Sequence, residues 1–382
     1  MKALGPFPAG AAGAGRILVR GNNWIGDVVL STPAFRALRT RFPRAEISVL
    51  AKPWVIPILR HNPDIDRILL YDAGGRHRGI LGVHRLGRDL RRERFDAAFL
   101  FQRAFEAAWI ARLSRIPVRV GYATDGRGWL LTHAVPATPE SLLVPRVEHN
   151  LALLQAVGIA PADRGLVLAP GTEDLNRARV RLEALGIAMD DRLFGLSPGA
   201  TFGSAKRWSA ERFACVAEGL SEQEGAKGLV FGGPAERDIG DQVVRRASKA
   251  NLVNLAGLTD LEEAVALIGL CGLFLTNDSG LMHVAAALDV PLAAIFGPTD
   301  PRTTAPWCRR HVLVRKEGVC CSPCLKRDCD RDHRCMSLIT VEDVRSALLD
   351  LRQRYGWDPV SVRWERLQGG SGRTVPLVSL GR

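Results

Sequence analysis

The sequence predicts an α/β protein with two doubly wound domains, each built on a parallel sheet. Short apolar stretches typical of buried strands alternate with segments of helical apolar spacing, first over residues 16–101 and again over 194–296. Residues 161–193 between them are rich in Pro, Gly and Arg, which predicts a linker. Because alternating strands and helices form parallel sheets through right-handed crossovers, we expect two similar domains that face a central cleft.

The elements of the first half follow from their apolar patterns. Strands are predicted over residues 16–20, 46–51, 67–71 and 96–101. A helix is predicted over 28–40, where apolar residues recur at helical spacing, and a second over 81–94, which has a strongly basic face. The turn between the first strand and the first helix reads Asn-Asn-Trp-Ile-Gly-Asp.

The second half repeats the alternation. Strands are predicted over residues 194–197, 228–231, 273–276 and 292–296, and helices over 210–218, 261–269, 280–288 and 341–354. Thr340 opens the last helix, with Glu342 and Asp343 in its first turn. We predict a first domain over 16–175, a second over 190–340, a helix over 341–356 that packs back on the first domain, and flexible tails over 1–15 and 368–382.

Composition excludes several classes of protein. Of the 382 residues, 47% are hydrophobic and 24% are charged, which is typical of globular chains and excludes a mostly disordered one. The longest run without a charged residue, 264–277, is shorter than the roughly 20 residues that span a bilayer. The first fifteen residues lack the compact apolar core of a signal peptide. We therefore expect a cytoplasmic protein without a transmembrane helix.

The positive charge is concentrated in the first half. Residues 1–150 contain 23 Lys and Arg against 12 Asp and Glu, which accounts for +11 of the net +12. Such a half favours an anionic partner, whether nucleic acid, a phosphorylated glycolipid or a membrane surface. In the predicted basic helix, Arg85, Arg88 and Arg92 share one face and are candidate anion-binding residues. The alternative is a solvated arginine face that Asp89 and Glu93 temper.

Two loops that follow predicted strands carry candidate chemistry. Asp27 stands where the first strand passes into a helix, so it is a candidate general base for a hydroxyl nucleophile or, alternatively, a helix cap. The second loop, 197–208, contains glycines, the hydroxyl of Thr201 and the cation of Lys206, which suits a phosphate. A solvated lysine is the alternative there. Neither loop has the spacing of a dinucleotide fingerprint or a P-loop.

Two further loops repeat this placement in the second half. Glu236 follows a strand that ends in two glycines, where a carboxylate suits a ribose hydroxyl, although ordinary turn chemistry also explains the glycines. The segment Thr-Asn-Asp-Ser-Gly-Leu-Met-His places Asp278, Ser279, Gly280 and His283 where a strand meets a helix N-terminus. This is an anion site by geometry, or a capping sequence with a satisfied histidine.

Together these motifs resemble glycosyltransferase family 9, the ADP-heptose:lipopolysaccharide heptosyltransferases. The match consists of G-D near the N-terminus, S-P-G-A-x-x-G-x-A-K-R-W, G-G-P-x-E, N-D-S-G-x-M-H and F-G-P-T-D-P, in this order over about residues 16–345. The cysteine-rich segment 320–336 resembles the heptosyltransferase II branch in particular. The resemblance implies a GT-B fold, in which two Rossmann-like domains bind the acceptor and the nucleotide sugar respectively.

The resemblance also implies an activity and roles. The expected reaction is an inverting transfer of L-glycero-D-manno-heptose from ADP-heptose, a substrate, to a heptose of the lipopolysaccharide inner core, with no cofactor required. Asp27 is implied to be the catalytic base. The implied donor contacts are Thr201, Lys206, Glu236, Asp278, Ser279, Gly280 and His283. Phe202 stands where other members can show a second hydroxyl residue.

The implied acceptor is a Kdo- and heptose-bearing lipid A, held by the basic half through Arg85, Arg88 and Arg92. Peripheral contact with the cytoplasmic face of the inner membrane follows from that acceptor. Transfer of the first heptose onto Kdo is the alternative within the family. A nicotinamide-dependent oxidoreductase and a basic zinc protein that binds nucleic acid are remote alternatives, disfavoured by the missing fingerprint and by the missing DNA-binding motif.

Five of the eight cysteines fall within residues 320–335. Cys321, Cys324, Cys329 and Cys335 form a candidate structural metal site, because thiolates at short spacing bind zinc or an iron–sulfur cluster. A reduced structural loop is the alternative, since the spacing is not that of a zinc ribbon and a reducing compartment disfavours disulfides. No catalytic metal is expected.

Overall fold

The computed structural model describes residues 14–161, 163–369 and 373–380. The chain forms two compact units: the first runs to Leu168 and includes the C-terminal segment from Arg373, and the second is Ala169–Gly372. Within the described ranges, no helix is long and apolar enough to cross a membrane. Because the boundary between the units follows Leu168, most of the predicted linker, residues 161–193, belongs to the second unit.

The first unit contains a parallel sheet of seven strands within its described part, in the order β13–β3–β2–β1–β4–β5–β6. The strands are β1 (Arg16–Arg20), β2 (Glu46–Ala51), β3 (Arg67–Leu70), β4 (Ala97–Leu100), β5 (Val118–Tyr122), β6 (His133–Val135) and β13 (Leu377–Val378). The helices are α1 (Ile25–Val29), α2 (Thr32–Arg41), α3 (Ile56–Leu59), α4 (Gly79–Arg92), α5 (Phe105–Leu113), α6 (Pro139–Leu142) and α7 (Arg146–Gln155).

The predicted helix over 28–40 is two helices, α1 and α2. Pro33 lies in the first turn of α2 and has no N–H to donate to the carbonyl of Val29, four residues earlier. The side chain of Thr32 donates to that carbonyl instead, at 2.8 Å, and Ser31 Oγ donates to the carbonyl of Val28 at 2.7 Å. Helix α1 therefore ends at Val29, so Asp27 lies on a helix of only five residues.

The second unit contains a parallel sheet with six strands among the described residues, in the order β12–β11–β10–β7–β8–β9. The strands are β7 (Leu193–Ser197), β8 (Lys227–Val230), β9 (Asn251–Asn254), β10 (Leu273–Asn277), β11 (Leu292–Ile295) and β12 (His311–Val314). The helices are α8 (Thr172–Ala184), α9 (Ala210–Glu224), α10 (Arg237–Arg246), α11 (Leu261–Leu270), α12 (Gly280–Ala287), α13 (Pro301–Thr304), α14 (Arg334–Ser337), α15 (Val341–Tyr355) and α16 (Val360–Gln368).

In each unit the first strand of the chain has the second strand on one side and the fourth strand on the other. The chain therefore adds strands first on one side of this strand and then on the other. Ligands of such sheets bind beside this switch point, at the carboxyl ends of the strands. In the first unit the switch lies between β1 and β4, and in the second between β7 and β10. The α/β fold class with two doubly wound units is confirmed.

Helix α8 lies inside the predicted linker, so that prediction and the boundary at residues 175–190 are wrong. The helix packs on α11, where Arg177 contacts Asp260 at 2.6 Å and Arg181 contacts Glu263 at 2.9 Å. The helix also has an apolar face, since its buried residues include Leu175. The many charges of this segment hid its apolar face, and nothing in the sequence indicated that Arg177 and Arg181 pair with acids about 80 residues away.

Helix α15 does not pack back on the first domain as predicted. Val344, Leu348 and Leu351 are buried in the core of the second unit, and the helix lies against β11, β12 and α9. The apolar face of α15 covers the edge half of the second sheet, which would otherwise be exposed. A domain ending at residue 340 would lack this part of its own core.

The segment that returns to the first unit is the C-terminal one, for which a flexible tail was expected. Val375 N donates to the carbonyl of Arg60, β13 pairs with β3 so that Leu377 lies opposite Ile68, and Leu380 is buried in the core. The Gly/Ser-rich sequence before it masked this short apolar stretch. Residues 1–13, 370–372 and 381–382 of the predicted tails lie outside the described residues.

Candidate active site

The second and fourth predicted motifs meet in the second unit. Lys206 Nζ lies 2.7 Å from Asp278 Oδ2, and the two side chains are only 12% and 6% exposed. Their loops follow β7 and β10, the neighbouring strands at the switch point, which explains why residues 72 positions apart in the chain come together. The cation that we predicted for a phosphate is thus held in place by a carboxylate.

Asn277 fixes the two loops to each other. Its side-chain nitrogen donates to the carbonyl of Pro198 at 2.8 Å, and its side-chain oxygen accepts from the backbone N–H of Trp208 at 3.1 Å. Sequence reasoning gave Asn277 no role of its own. Its position at the carboxyl end of β10 was the available signal, because side chains there face the neighbouring loop at the switch point.

Helix α12 begins beside the Lys206–Asp278 pair. Ser279 is its N-cap, and its hydroxyl accepts from the backbone N–H of Met282 at 3.4 Å. Gly280 is the first helical residue, so the free N–H groups of the first turn and the positive end of the helix dipole lie next to Asp278. This supports both interpretations of the motif, because the sequence caps the helix and creates an anion-binding geometry.

His283 is buried one turn into α12. Burial lowers its pKa to about 4, while Asp278 raises this value and Lys206 lowers it. Its Nδ1 is buried without a hydrogen-bond partner in the part of the chain that the structure describes. At neutral pH the ring is therefore uncharged and adds no positive charge to the site.

We expect His283 to make stability pH-dependent. Its pKa in the folded state lies below the value of about 6.5 for unfolded His, so the folded state binds fewer protons between these values. Stability should therefore fall as pH decreases through this window, by at most about 1.4 kcal/mol per pH unit. Urea unfolding at pH 7 and pH 5 should show that wild type loses about 2 kcal/mol more than His283→Gln. An equal loss in both proteins would contradict the assignment.

Glu236 belongs to the same group of loops. A Cβ placed on Gly199 would lie 2.3 Å from Glu236 Oε1, so the carboxylate packs directly against the glycine of the β7 loop. Its Oε2 accepts from the backbone N–H of Gly233 at 2.9 Å, which fixes the side chain. The third motif thus reaches the second, as the predicted donor site requires.

Thr201 and Phe202 are exposed residues of the β7 loop. The Phe202 ring lies over Lys206, with 5.0 Å between its centroid and Nζ. Phe202 therefore acts on the lysine through its ring face. The structure records no contact of Thr201 with the Lys206–Asp278 pair, and its donor role stays a prediction.

The cysteine-rich segment lies beside the β7 loop. One cavity of about 460 Å³ is lined by His333 and by five cysteines, which are all free thiols: Cys320, Cys321, Cys324, Cys329 and Cys335. Among the residues that the structure describes, no three His, Cys, Asp or Glu side chains are arranged to hold a metal ion. The structural metal site therefore stays a prediction, and the free thiols are compatible with the alternative, a reduced loop.

The same segment holds the β7 loop by hydrogen bonds, which spacing along the chain did not reveal. Ala205 N donates to the carbonyl of Arg327 at 2.9 Å, and its own carbonyl lies 2.7 Å from His333 Nε2. Ser204 Oγ donates to Asp328 Oδ1 at 2.6 Å. Since Lys206 follows directly, the cysteine-rich segment positions the cation of the candidate donor site.

Gly203 gives a direct test of this contact. A Cβ there would lie 2.1 Å from the carbonyl oxygen of Arg327, so Gly203→Ala should push the two segments apart and displace Lys206. Overpacking of this kind costs about 1–3 kcal/mol, and we expect ADP affinity to fall about tenfold or more in calorimetry. Gly74→Ala is the matched control, because a Cβ there meets nothing within 4 Å. Unchanged affinity in Gly203→Ala would exclude a positioning role for the segment.

In the first unit, Asp27 lies at the carboxyl end of β1. It is the third residue of α1, whose N-cap is Trp24, so Asp27 is not itself the cap residue. The side chain is half-buried and its charge acts on Arg103, which follows β4 across the switch point. Burial lowers the pKa of Arg103, the neighbouring Arg146 lowers it further, and Asp27 opposes both effects.

Other cations share this edge, and sequence reasoning missed them. Arg20 ends β1 and its guanidinium donates to the side chain of Asn23 at 2.9 Å, which braces the loop that leads to Asp27. Lys52 directly follows β2, and burial followed by the charge of Arg20 lowers its pKa. Both lie at the carboxyl end of a strand, and that position, rather than any motif, was the signal.

The arginine face of α4 runs between the two edges of the first sheet. Arg85, Arg88 and Arg92 are exposed as predicted. Glu93, just after the helix, contacts Arg16 and Arg67, the first residues of β1 and β3, at 2.9 Å each. Arg92 therefore lies at the amino edge of the sheet, opposite to Asp27, while Arg85 lies nearer to the carboxyl edge. Their acceptor role stays a prediction.

Comparisons with known proteins place the chain in a family. The model of glycosyltransferase family 9 (heptosyltransferase) matches residues 83–334. The chain is 34% identical to lipopolysaccharide heptosyltransferase 2 of Salmonella typhimurium over 312 residues, which cover 78% of this chain and 88% of that protein. It is 33% identical to lipooligosaccharide heptosyltransferase 2 of Haemophilus influenzae, with the same shares of each chain covered.

Solved structures agree with the sequence matches. The ADP-heptose lipopolysaccharide heptosyltransferase II of Escherichia coli is 29% identical, with a TM-score of 0.72 over 89% of this chain and 99% of that one. A family 9 glycosyltransferase from Veillonella parvula is 25% identical, with a TM-score of 0.79 over 89% and 97%. These structures confirm the predicted GT-B fold, and the chain belongs to glycosyltransferase family 9, the heptosyltransferases.

Proposed function

We propose that this glycosyltransferase moves L-glycero-D-manno-heptose from ADP-heptose to a heptose of the lipopolysaccharide inner core, with inversion at the anomeric carbon. The observation that carries the proposal is the meeting of Lys206, Asp278 and the N-terminus of α12 at the switch point of the second unit. The relatives named heptosyltransferase 2 support a heptose as the acceptor, rather than Kdo, which accepts the first heptose.

The donor would bind through its diphosphate. Lys206 has three N–H donors, so it can hold Asp278 and still donate to a phosphate oxygen. The first-turn N–H groups of α12 would add hydrogen bonds and the positive end of the dipole, while Ser279 and Gly280 allow a close approach. Because Asp278 offsets the charge of Lys206, these backbone groups would carry a large part of the attraction. Glu236 would orient the ribose.

The reaction would be a single displacement. Asp27 would take the proton from the acceptor hydroxyl as that oxygen attacks the anomeric carbon, and the bond to ADP would break. Negative charge then develops on the departing diphosphate. Lys206 and the α12 N-terminus, which contacts within the second unit already fix, would stabilise that charge.

The acceptor would bind to the first unit. Lys52 and Arg103 lie at the same edge of the sheet as Asp27, which suits the anionic Kdo and phosphate groups of an inner-core lipid. Such an acceptor is embedded in a membrane, so we propose a cytoplasmic enzyme that works at the membrane surface. Arg85, Arg88 and Arg92 would extend this attraction along α4.

Product analysis tests the proposal directly. The enzyme is given ADP-heptose with two acceptors, a Kdo-lipid that carries one heptose and a Kdo-lipid that carries none. Mass spectrometry should show addition of one heptose to the first acceptor only, and NMR should show an inverted anomeric configuration. Addition to the acceptor without heptose would support transfer of the first heptose instead. No product with either acceptor would contradict both.

The arginine face predicts a graded effect on acceptor binding. Charge reversal in Arg85→Glu should raise the acceptor KM several-fold at low salt, and Arg88→Glu with Arg92→Glu should raise it less, because Arg92 lies at the far edge of the sheet. The difference from wild type should shrink as salt screens the wild-type attraction. ADP affinity, measured by calorimetry, serves as the control and should not change. An unchanged KM in both variants would leave α4 as a solvated face.

A further inference from the structure

The first unit carries a group of large apolar side chains, which we call the aromatic patch and define as Ile80, Leu81, Phe105, Trp109 and Trp129; four of them are exposed and Trp109 is half-buried. Ile80, Leu81 and Trp129 are 78%, 82% and 71% exposed. Single exposed apolar residues are common on soluble proteins, but a contiguous group of large ones marks an interaction surface.

Ring contacts link the three aromatic members of the patch to one another. Phe105 lies 6.3 Å from Trp109 and 6.4 Å from Trp129, measured between ring centroids. The His84 ring lies 6.1 Å from that of Trp109, and its Nδ1 lies 2.9 Å from the carbonyl oxygen of Ile80. His84 therefore connects the first turn of α4 to α5. The aromatic residues of the patch hold one another in place without covering their outer faces.

The patch lies at a functional edge of its unit. Helix α4 follows β3, α5 follows β4, and the short helix Gly128–Leu130 that carries Trp129 follows β5. All three therefore begin at the carboxyl edge of the first sheet, where Asp27 follows β1. A lipid-linked acceptor bound beside the patch would present its sugars at the edge that holds the candidate base.

Charges around the patch are predominantly positive. Arg78 directly precedes α4, and Arg112 lies one turn beyond Trp109 on α5; both are exposed. Of the nearby acids, Asp125 accepts from the backbone N–H of Phe105 at 2.7 Å, and Glu106 acts on Arg20 and Lys52. An apolar surface with tryptophan rings and a cationic rim matches the interface of an anionic bilayer.

We propose that the aromatic patch inserts into the headgroup region of an anionic membrane, with Arg78 and Arg112 against lipid phosphates. The proposal deepens the proposed function, because it identifies the surface through which the enzyme would reach a membrane-embedded acceptor. Its mechanism is physical partition and requires neither donor binding nor transfer, so it can fail or succeed independently of the chemistry.

Vesicle sedimentation with the full chain tests the proposal. Wild type should bind vesicles of phosphatidylglycerol and phosphatidylcholine more tightly than pure phosphatidylcholine vesicles, and less tightly as salt rises. Leu81→Ser with Trp129→Ser removes two exposed side chains and should weaken this binding at least tenfold. Leu338→Ser with Leu349→Ser, a pair of exposed leucines on the second unit, is the matched control and should bind like wild type.

The proposal would be overturned if wild type showed no preference for anionic vesicles, if the patch variant bound undiminished, or if the control variant lost binding equally. A wild-type dimer in size-exclusion chromatography that the patch variant abolishes would instead assign the patch to self-association. The patch variant should retain wild-type turnover on a water-soluble inner-core acceptor without lipid. Loss of turnover there, with a loss of folded signal, would show a structural role and also contradict the proposal.

Discussion

Replacing Asp27 with asparagine should reduce turnover about 10²–10⁴-fold while leaving ADP affinity close to that of wild type. Asparagine has the size of aspartate and retains hydrogen-bonding ability, but it cannot accept the proton of the acceptor hydroxyl. Asp27 lies on the first unit, whereas the Lys206–Asp278 pair lies on the second, so the change does not touch the candidate donor contacts. Steady-state kinetics and calorimetry with ADP measure the two quantities separately.

A matched control separates catalysis from a general effect of removing one carboxylate. Asp190 is exposed on the second unit, and Asp190→Asn should leave turnover and thermal stability unchanged. If Asp27→Asn retains near-normal turnover, Asp27 is not the base. If the variant loses activity together with thermal stability, its role in the β1–α1 turn is structural.

The second largest effect is expected for Lys206→Ala. The variant loses a charge-assisted contact to phosphate, worth about 1.5–3 kcal/mol, and leaves the carboxylate of Asp278 unpaired next to the donor. ADP affinity should therefore fall at least tenfold, and turnover should fall as well, because the same charge would stabilise the departing diphosphate. Lys249→Ala is the control. It removes an exposed lysine whose Nζ lies 3.6 Å from a carboxylate oxygen of Glu222, and it should change neither ADP affinity nor turnover.

The ion pair permits a sharper measurement. In the double variant Lys206→Ala with Asp278→Asn, no unpaired carboxylate remains to repel the phosphate. ADP should therefore bind this double variant more tightly than the single Lys206→Ala variant, although less tightly than wild type. A double variant that binds no better than Lys206→Ala would show that repulsion by Asp278 contributes nothing. Unchanged affinity in Lys206→Ala itself would place the phosphate site elsewhere.

Eight strands were predictable because each of them is a short apolar stretch bounded by polar residues. The first two have the predicted bounds, 16–20 and 46–51, and the other six differ by one residue at one or both ends, whereas β5, β6, β9, β12 and β13 were not predicted. Helices were less predictable where tertiary contacts override the local pattern. The charged helix α8 depends on acids of α11, and the break before α2 depends on one proline and two hydroxyl side chains.

The candidate site was predictable as a set of loops but not as a set of contacts. Each motif follows a strand, which already indicated the carboxyl edge. That Lys206 would pair with Asp278 depends on which strands are neighbours, and the order of strands cannot be read from local sequence. The hydrogen bonds between the cysteine-rich segment and Ala205 join residues more than 120 positions apart. The local sequence at either position therefore does not indicate them.

The pairing of β13 with β3 has a consequence for how the protein is made. All other strands of the first sheet precede residue 136, whereas β13 is Leu377–Val378. During synthesis, the ribosome must produce the whole second unit before it releases the strand that covers this edge. Until then β3 is an open edge of parallel sheet, available to any other extended chain nearby. A chain cut before residue 377 would leave that edge open permanently.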